Sequence, residues 1–269
     1  MRYPLFGAAC VIALLVGATP ALAQDPQLIN IPLSRPGEPM ILEISIMSAR
    51  IEVIGEDRED AEFSILVEQG SRSIITPSGT KELAGGAYSM EVDEDDNRIT
   101  VDTDWRANKF NVVARVPRRA DLELSTANEG QIIVSNVTGN LQLENVNGPI
   151  NASNISGSVI AETVNDTIDV SFASIDDSNA MSLTTMNGDV KLGLPADAGA
   201  QLHIDSARGE IYSDFEVDVQ PTKQVIERKN DRGGVEVRVE SVIVANINGG
   251  GSVIKLKTLN GDIQISKSD

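Results

Sequence analysis

The feature that most constrains this chain is a corner residue that returns every nine positions: Gly130, Gly139, Gly148, Gly157 and Asp166. Apolar residues keep fixed distances from these corners. Ile132, Leu141, Ile150, Val159 and Ile168 stand two after; Val134, Leu143, Ala152, Ala161 and Val170 stand four after; Val137, Val146, Ile155 and Val164 stand seven after. A step of two marks a strand with one buried face, but nine is odd, so a straight strand would turn its apolar set outward at every repeat. The chain must bend once per repeat. Short strands of equal length, divided by turn residues at a fixed period, are units that bury their apolar faces only by stacking on one another. The expectation is an all-β fold, a β-solenoid like a parallel β-helix, with two sides per coil of about 18 residues. All three apolar positions, Val146 and Val164 included, are expected to face inward.

The flanking sequence extends the pattern less regularly. Ile41 to Val53 alternates around Ala49 and reads as a degenerate first unit. Residues 24–121 therefore form an N-terminal β-strand cap continuous with the repeats, and residues 122–269 form the solenoid. Gly70 to Gly86 reads as a polar loop. Asp93 to Asn97, between two apolar alternations, reads as a hairpin tip; it lacks the alternating acids, central glycine and closing glutamate of a helix-loop-helix calcium site. One module occurs twice, a strand ending at Pro117 or Pro195 and then a re-entry towards Gly130 or Gly209. Residues 216–252 leave the register as a hairpin excursion around Lys229 to Gly234, and Asn248 to Gly251 return the chain. That glycine cluster opens a strand, whereas phosphate loops open a helix. In the last unit Lys255, Lys257 and Lys267 face outward beside Ile254, Leu256, Ile263 and Ile265, which suggests a lysine-protected open edge and a terminal cap.

Asn-Gly recurs at the corners in Asn147-Gly148-Pro149-Ile150, Asn187-Gly188-Asp189-Val190 and Asn260-Gly261-Asp262-Ile263, as suits a left-handed tight turn. With the Leu-Pro re-entry at Pro195, the string from Gly209 to Phe215 and the glycines at Gly249, these phrases resemble the bacterial putative-adhesin family, a domain of unknown function built of repeated short strands. The resemblance covers about Ile41 to Ser266, with Ala49 and Asp166 departing from the corner glycine. It implies stacked strands and an envelope or surface setting, and it brings no catalytic residues.

The first 23 residues read as a signal peptide: Arg2, the apolar run Val11 to Val16, then Pro20 to Ala23, with cleavage before Gln24. A lipid anchor on Cys10 is the rival, but Gly7 stands where a lipobox needs a branched apolar residue. Cleavage removes the only cysteine, so the mature chain is held by burial and strand pairing alone. No second apolar run is long enough for a transmembrane segment. The expected location is periplasmic, secreted or cell-surface. A formal net charge of −18 argues against nucleic acid and anionic membrane as partners. Outward acids also oppose pairing between exposed strand edges.

Chemistry is harder to find. His203 is the only histidine; on a strand Asp205 shares its face and Ser206 points away, so the three do not converge as a nucleophile, base and orienter. Asp169, Asp189, Asp205, Glu210 and Asp262 face outward as a solvated set, and of the basic residues that hold an acidic polysaccharide the repeat core from 128 to 192 has only Lys191, at its end. Asn136, Asn145 and Asn154 fall six after their corners and are expected to stack as a polar ladder. The glycosylation sequons at Asn136, Asn151, Asn154 and Asn165 are incidental to that register. The expected protein is not an enzyme: no catalytic, cofactor-binding or metal residue is assigned, and no cofactor. It is a secreted or periplasmic β-repeat protein, an adhesin or envelope scaffold that binds a surface component, protein or glycan, through its faces. The alternatives are a polysaccharide-active lyase or hydrolase of solenoid form and a calcium-stabilised surface module.

Overall fold

The structure is a computed structural model describing residues 26–68, 90–103, 109–128, 130–175, 179, 181–229 and 235–268. The leader with Cys10, the loop 70–86 and the hairpin tip 230–234 lie outside these residues. The described residues form twenty strands and no helix. The first seven are β1 (Gln27–Pro32), β2 (Met40–Ile46), β3 (Ala49–Glu56), β4 (Asp60–Glu68), β5 (Met90–Asp95), β6 (Arg98–Thr103) and β7 (Lys109–Pro117). The repeats supply β8 (Ala120–Thr126), β9 (Gln131–Ser135), β10 (Thr138–Asn145), β11 (Ile150–Glu162), β12 (Ile168–Ile175), β13 (Met181–Thr184) and β14 (Val190–Pro195). The rest are β15 (Ala200–Ser206), β16 (Ile211–Ser213), β17 (Val217–Lys229), β18 (Val235–Ile247), β19 (Ser252–Thr258) and β20 (Ile263–Ser268).

Alternation in these strands puts every second side chain inside, and parallel pairing then stacks like on like. β8, β10, β11 and β13 lie side by side on one face; β9, β11, β12 and β14 do so on the other. The long strand β11 serves both, because Ile150 to Ser153 pair with β9 while Ile160 to Glu162 pair with β13. Gly139 stands opposite Gly157 and Leu141 opposite Val159, so β10 and β11 pair residues 18 apart, while β8 and β10 pair residues 19 apart and β12 and β14 residues 22 apart. Ile132, Ile150, Ile168, Val190 and Ile263 form one fully buried column in consecutive layers. The strands join into one sheet that folds back over a single apolar interior, nearly closed and barrel-like in outline. Antiparallel pairing is confined to the ends: β1 with β4 with β7, β5 with β6, and β15 with β18 with β17.

Two expectations need correction. The two halves of a layer are not equivalent: Val137 and Ile155 are buried, but Val146 and Val164 are 41% and 37% exposed. In the second half the inward slot is filled by the residue before, Asn145 or Thr163, and the valine is turned out. The corner residues keep the positive φ expected of them, 146° at Gly148, 129° at Gly157, 117° at Asp166, 159° at Gly188 and 155° at Gly261. The layer below excludes a side chain as well: a Cβ on Gly188 would overlap the Asp166 carbonyl, and one on Gly261 the Gly188 carbonyl. Asn136 and Asn154 are left-handed too, with φ of 59° and 55°.

The second correction concerns the terminal unit, which is interior and not a cap. β19 lies between β13 and β15, and β20 between β14 and β16. After β14 the chain skips a layer, lays down β15 and β16, makes the β17–β18 hairpin, and returns to fill the gap. The lysines accordingly face neighbours: Lys257 Nζ pairs with Asp205 Oδ2 at 2.8 Å, and Lys267 Nζ lies 5.3 Å from the Phe215 ring centre. At the other end β2 and β3 stack on β8 and β9. The acidic run at 93–97 is the tip of the β5–β6 hairpin, turning through Asp96 and Asn97. The buried Asn97 side chain bonds the backbone N–H and carbonyl of Arg35.

Candidate binding surface

One corner of the stack repeats a three-residue pattern: Thr126-Ala127-Asn128, Asn145-Val146-Asn147, Thr163-Val164-Asn165, Thr185-Met186-Asn187 and Thr258-Leu259-Asn260. The first residue points inward and is buried. Its polar group donates to the corner carbonyl of the layer below: Asn145 Nδ2 to Gly130 O at 3.1 Å, Thr163 Oγ1 to Gly148 O at 3.2 Å, Thr185 Oγ1 to Asp166 O at 3.0 Å, and Thr258 Oγ1 to Gly188 O at 2.9 Å. These bonds satisfy groups that would be costly to bury alone. The third residue forms an amide ladder. Asn165 Nδ2 donates to Asn147 Oδ1, Asn187 to Asn165, and Asn260 to Asn187, at 2.7–2.8 Å. The ladder starts on the Ala127 carbonyl and ends at Arg208.

With its neighbours so engaged, the middle residue has nowhere to go but out. Met47, Ala127, Val146, Val164, Met186 and Leu259 stand in successive layers: the Met47 carbonyl accepts from the Ala127 N–H, and the carbonyls of Ala127, Val146, Val164 and Met186 accept from the N–H of Asn147, Asn165, Asn187 and Asn260, the residue after each ridge position of the next layer. Met47, Val146, Val164, Met186 and Leu259 are each exposed, at 37–59%. At about 4.8 Å per layer this apolar ridge is roughly 24 Å long.

Beside the ridge runs a groove of ≈ 370 Å³. Its floor is the buried row Ile46, Thr126, Asn145 and Thr163. Its far wall is the next outward row, Ser45, Ser125, Glu144, Glu162 and Thr184. Ser125 Oγ donates to Ser45 Oγ at 2.9 Å. Glu144 and Glu162 stand directly opposite one another in the parallel register. Glu144 accepts one bond, from Gln142 Nε2, and no described basic side chain pairs with either acid.

The residues singled out in the sequence fall elsewhere. His203 is half-buried, its Nε2 3.2 Å from Gln201 Oε1, while Ser206 Oγ donates to the Gly209 carbonyl and Asp205 pairs with Lys257. Asp189 and Asp262 accept backbone N–H groups from the adjacent layer, at Asp262 and Glu210. Asp169 lies in register between Asn151 and Lys191 on the other face. Tyr212 donates to Glu210 at 2.6 Å, and that bond with the carboxylate charge raises the phenol's pKa. Among the described residues no group of three or more His, Cys, Asp or Glu is placed to hold a metal ion. Asn136 and Asn154 do bond, at 2.7 Å, whereas Asn145 belongs to the other corner and its own buried row. The Asn147 ladder, the ridge and the two glutamates were missed. Their signal was a shared phase: Glu144 and Glu162 each fall five after a corner glycine, one layer apart.

No family model matches the chain and no curated protein matches it, so the adhesin-family resemblance rests on the quoted phrases. Among solved structures the chain is similar to a putative cell adhesion protein from Clostridium sporogenes, with 10% identity and a TM-score of 0.45 over 90% of this chain and 100% of that one. No helix among the described residues is long and apolar enough to cross a membrane.

Proposed function

We propose that this is a noncatalytic binding or scaffold protein of the bacterial envelope or surface, exported by its leader, whose body is a two-sided β-solenoid with one 18-residue layer per coil. The carrying observation is the ridge from Met47 to Leu259. Its side chains take no part in holding the layers together, yet five of them expose apolar surface in one continuous line, and contiguous exposed apolar surface marks interaction sites on soluble proteins. The in-register pairing of residues 18 apart supports the solenoid reading.

The test is retention of the purified protein on immobilised envelope extract, with Met186→Asp and Val164→Asp as ridge variants and Asp169→Asn as a control on the other face. We expect the ridge variants to lose retention with their circular dichroism unchanged, and the control to keep it. Equal retention by all four proteins would refute the ridge as the working surface. Cleavage of an acidic polysaccharide by the parent protein would refute the noncatalytic reading.

A further inference from the structure

The groove beside the ridge carries a sharper statement about the partner. Among the described residues there are two places where glutamates of successive layers stand opposite one another, and they are treated differently. Glu43 and Glu123 pair in register, and Arg98 lies over both, its Nη1 3.2 Å from Glu43 and 3.9 Å from Glu123. Glu144 and Glu162 pair in the same way with no described cation above them. Like charges directly opposite in a ladder are unfavourable, so the second pair is an arrangement that a cation would relieve.

The hydrogen-bonding capacity of the groove points the same way. On the floor, the Asn145 and Thr163 side chains donate to corner carbonyls, and Ser125 is bonded to Ser45 on the wall. What remains facing the groove with unused capacity is the hydroxyls of Ser45 and Thr184, which donate or accept, and the carboxylate oxygens of Glu144 and Glu162, which only accept and alone carry charge. A ligand that fits must therefore bring donors and positive charge on one side. On the other it meets the apolar ridge, which at roughly 24 Å is far longer than a single ion or small amine requires.

We propose that the groove binds an extended, cationic and amphipathic peptide segment of a partner protein, with a Lys or Arg between Glu144 and Glu162 and apolar side chains along the ridge. The proposal rests on the ridge being the working surface and adds the chemistry of what lies on it. The volume, at the low end of the roughly 300–1,000 Å³ of small-ligand sites, suits a few side chains of such a segment.

The experiment is fluorescence anisotropy of the purified protein with three capped synthetic peptides: alternating lysine and leucine, alternating lysine and serine, and alternating glutamate and leucine. The lysine–leucine peptide is expected to bind at least about tenfold more tightly than either of the others, with affinity that falls as salt rises. The double variant Glu144→Gln/Glu162→Gln is expected to weaken it about tenfold, and Val164→Ser to weaken it less but measurably. If the lysine–serine peptide binds equally well, or the double variant binds like the parent, attraction is only to the protein's overall acidity and the proposal fails. Tighter binding of a glucosamine oligomer than of the lysine–leucine peptide would overturn it in favour of a cationic glycan. The envelope assay separates the two readings. If Met186→Asp abolishes retention while Glu144→Gln/Glu162→Gln leaves it intact, the ridge stands and the cationic partner falls.

Discussion

Replacing Gly188 by alanine tests the account of what holds the layers together. A Cβ there would overlap the Asp166 carbonyl oxygen, which is backbone and cannot swing aside. The two layers must part locally. Four bonds cross that junction: Asp166 N–H to Asn187 O at 2.8 Å, Asn187 N–H to Val164 O at 2.9 Å, Asn187 Nδ2 to Asn165 Oδ1 at 2.8 Å, and Thr185 Oγ1 to Asp166 O at 3.0 Å. Weakening two or three of them, at about 1 kcal/mol net each, adds to an overpacking cost of about 1–3 kcal/mol. The sum, about 3–6 kcal/mol, is a large part of the roughly 5–15 kcal/mol that stabilises a typical domain. At about 2–4 °C per kcal/mol for a chain of this size, the thermal midpoint should fall by roughly 10 °C. Gly37→Ala is the comparison. Gly37 is left-handed, with φ of 83°, but nothing lies within 4 Å of its Cβ position, so only backbone strain of about 1–2 kcal/mol is expected. Urea unfolding followed by far-ultraviolet circular dichroism measures both. If Gly188→Ala loses no more stability than Gly37→Ala, close approach between layers is not why glycine stands at these corners.

Ile150→Asp buries a carboxylate in the middle of the fully buried isoleucine column and should unfold the protein or lower its midpoint steeply, since an unpaired buried charge costs several kcal/mol; a variant melting like the parent would mean that the inward register is wrong. Deleting residues 253–269 removes an interior layer, so β15 and β16 lose partners and the shortened protein should elute from size exclusion as an associated, partly unfolded species, whereas a folded monomer would contradict the strand order. Glu94 accepts the Ser34 N–H and hydroxyl and the Asn97 N–H, which with the Arg35 charge hold its carboxyl below the ordinary 4.5. A depressed folded pKa makes this anchor complete above the unfolded value and loses it as pH falls through the folded one, so amide protection in segment 33–39, taken relative to the intrinsic exchange rate at each pH, should fall in acid in the parent and stay level in Glu94→Gln.

Much of the fold was written in the spacing of the corners. The residues two and four after each corner are the buried columns, because the offset of 18 residues between β9 and β11 and between β10 and β11 returns each side chain to the same phase and parallel pairing sets identical positions on top of one another. The exposure of Val146 and Val164 was hidden by the same regularity. A nine-residue template averages the two corners of a layer, and the difference lies one residue upstream, where Asn145 and Thr163 are polar enough to bond a carbonyl yet small enough to be buried. The order of the last layers left no local sign at all. Met181 meets Ile254 and Leu202 meets Ile254 from the other side, and the interposed layer is as apolar and as alternating as any other. Only the competition among whole layers for partners decides that β19 and β20 return to the gap.

The ridge is forced to be exposed, but it is not forced to be apolar. Once the inward Thr or Asn and the laddered Asn are fixed, the residue between them faces solvent, and its identity does not affect the bonds that clamp the layers. Local preference explains part of the choice: Val146 and Val164 are β-branched and suit strand ends. It does not explain Met47, Met186 and Leu259, which are no better in a strand than the threonines and serines used at other outward positions on the same face, and which expose far more apolar surface. Exposed apolar rows on stacked strands also invite association, a hazard that this chain counters elsewhere with charge. Retaining methionine and leucine in line with two valines, against that hazard and without a stacking role, is what a surface selected for contact would require. The unneutralised glutamates beside it are the second departure from the rule followed at Glu43 and Glu123, and both departures fall on the same groove.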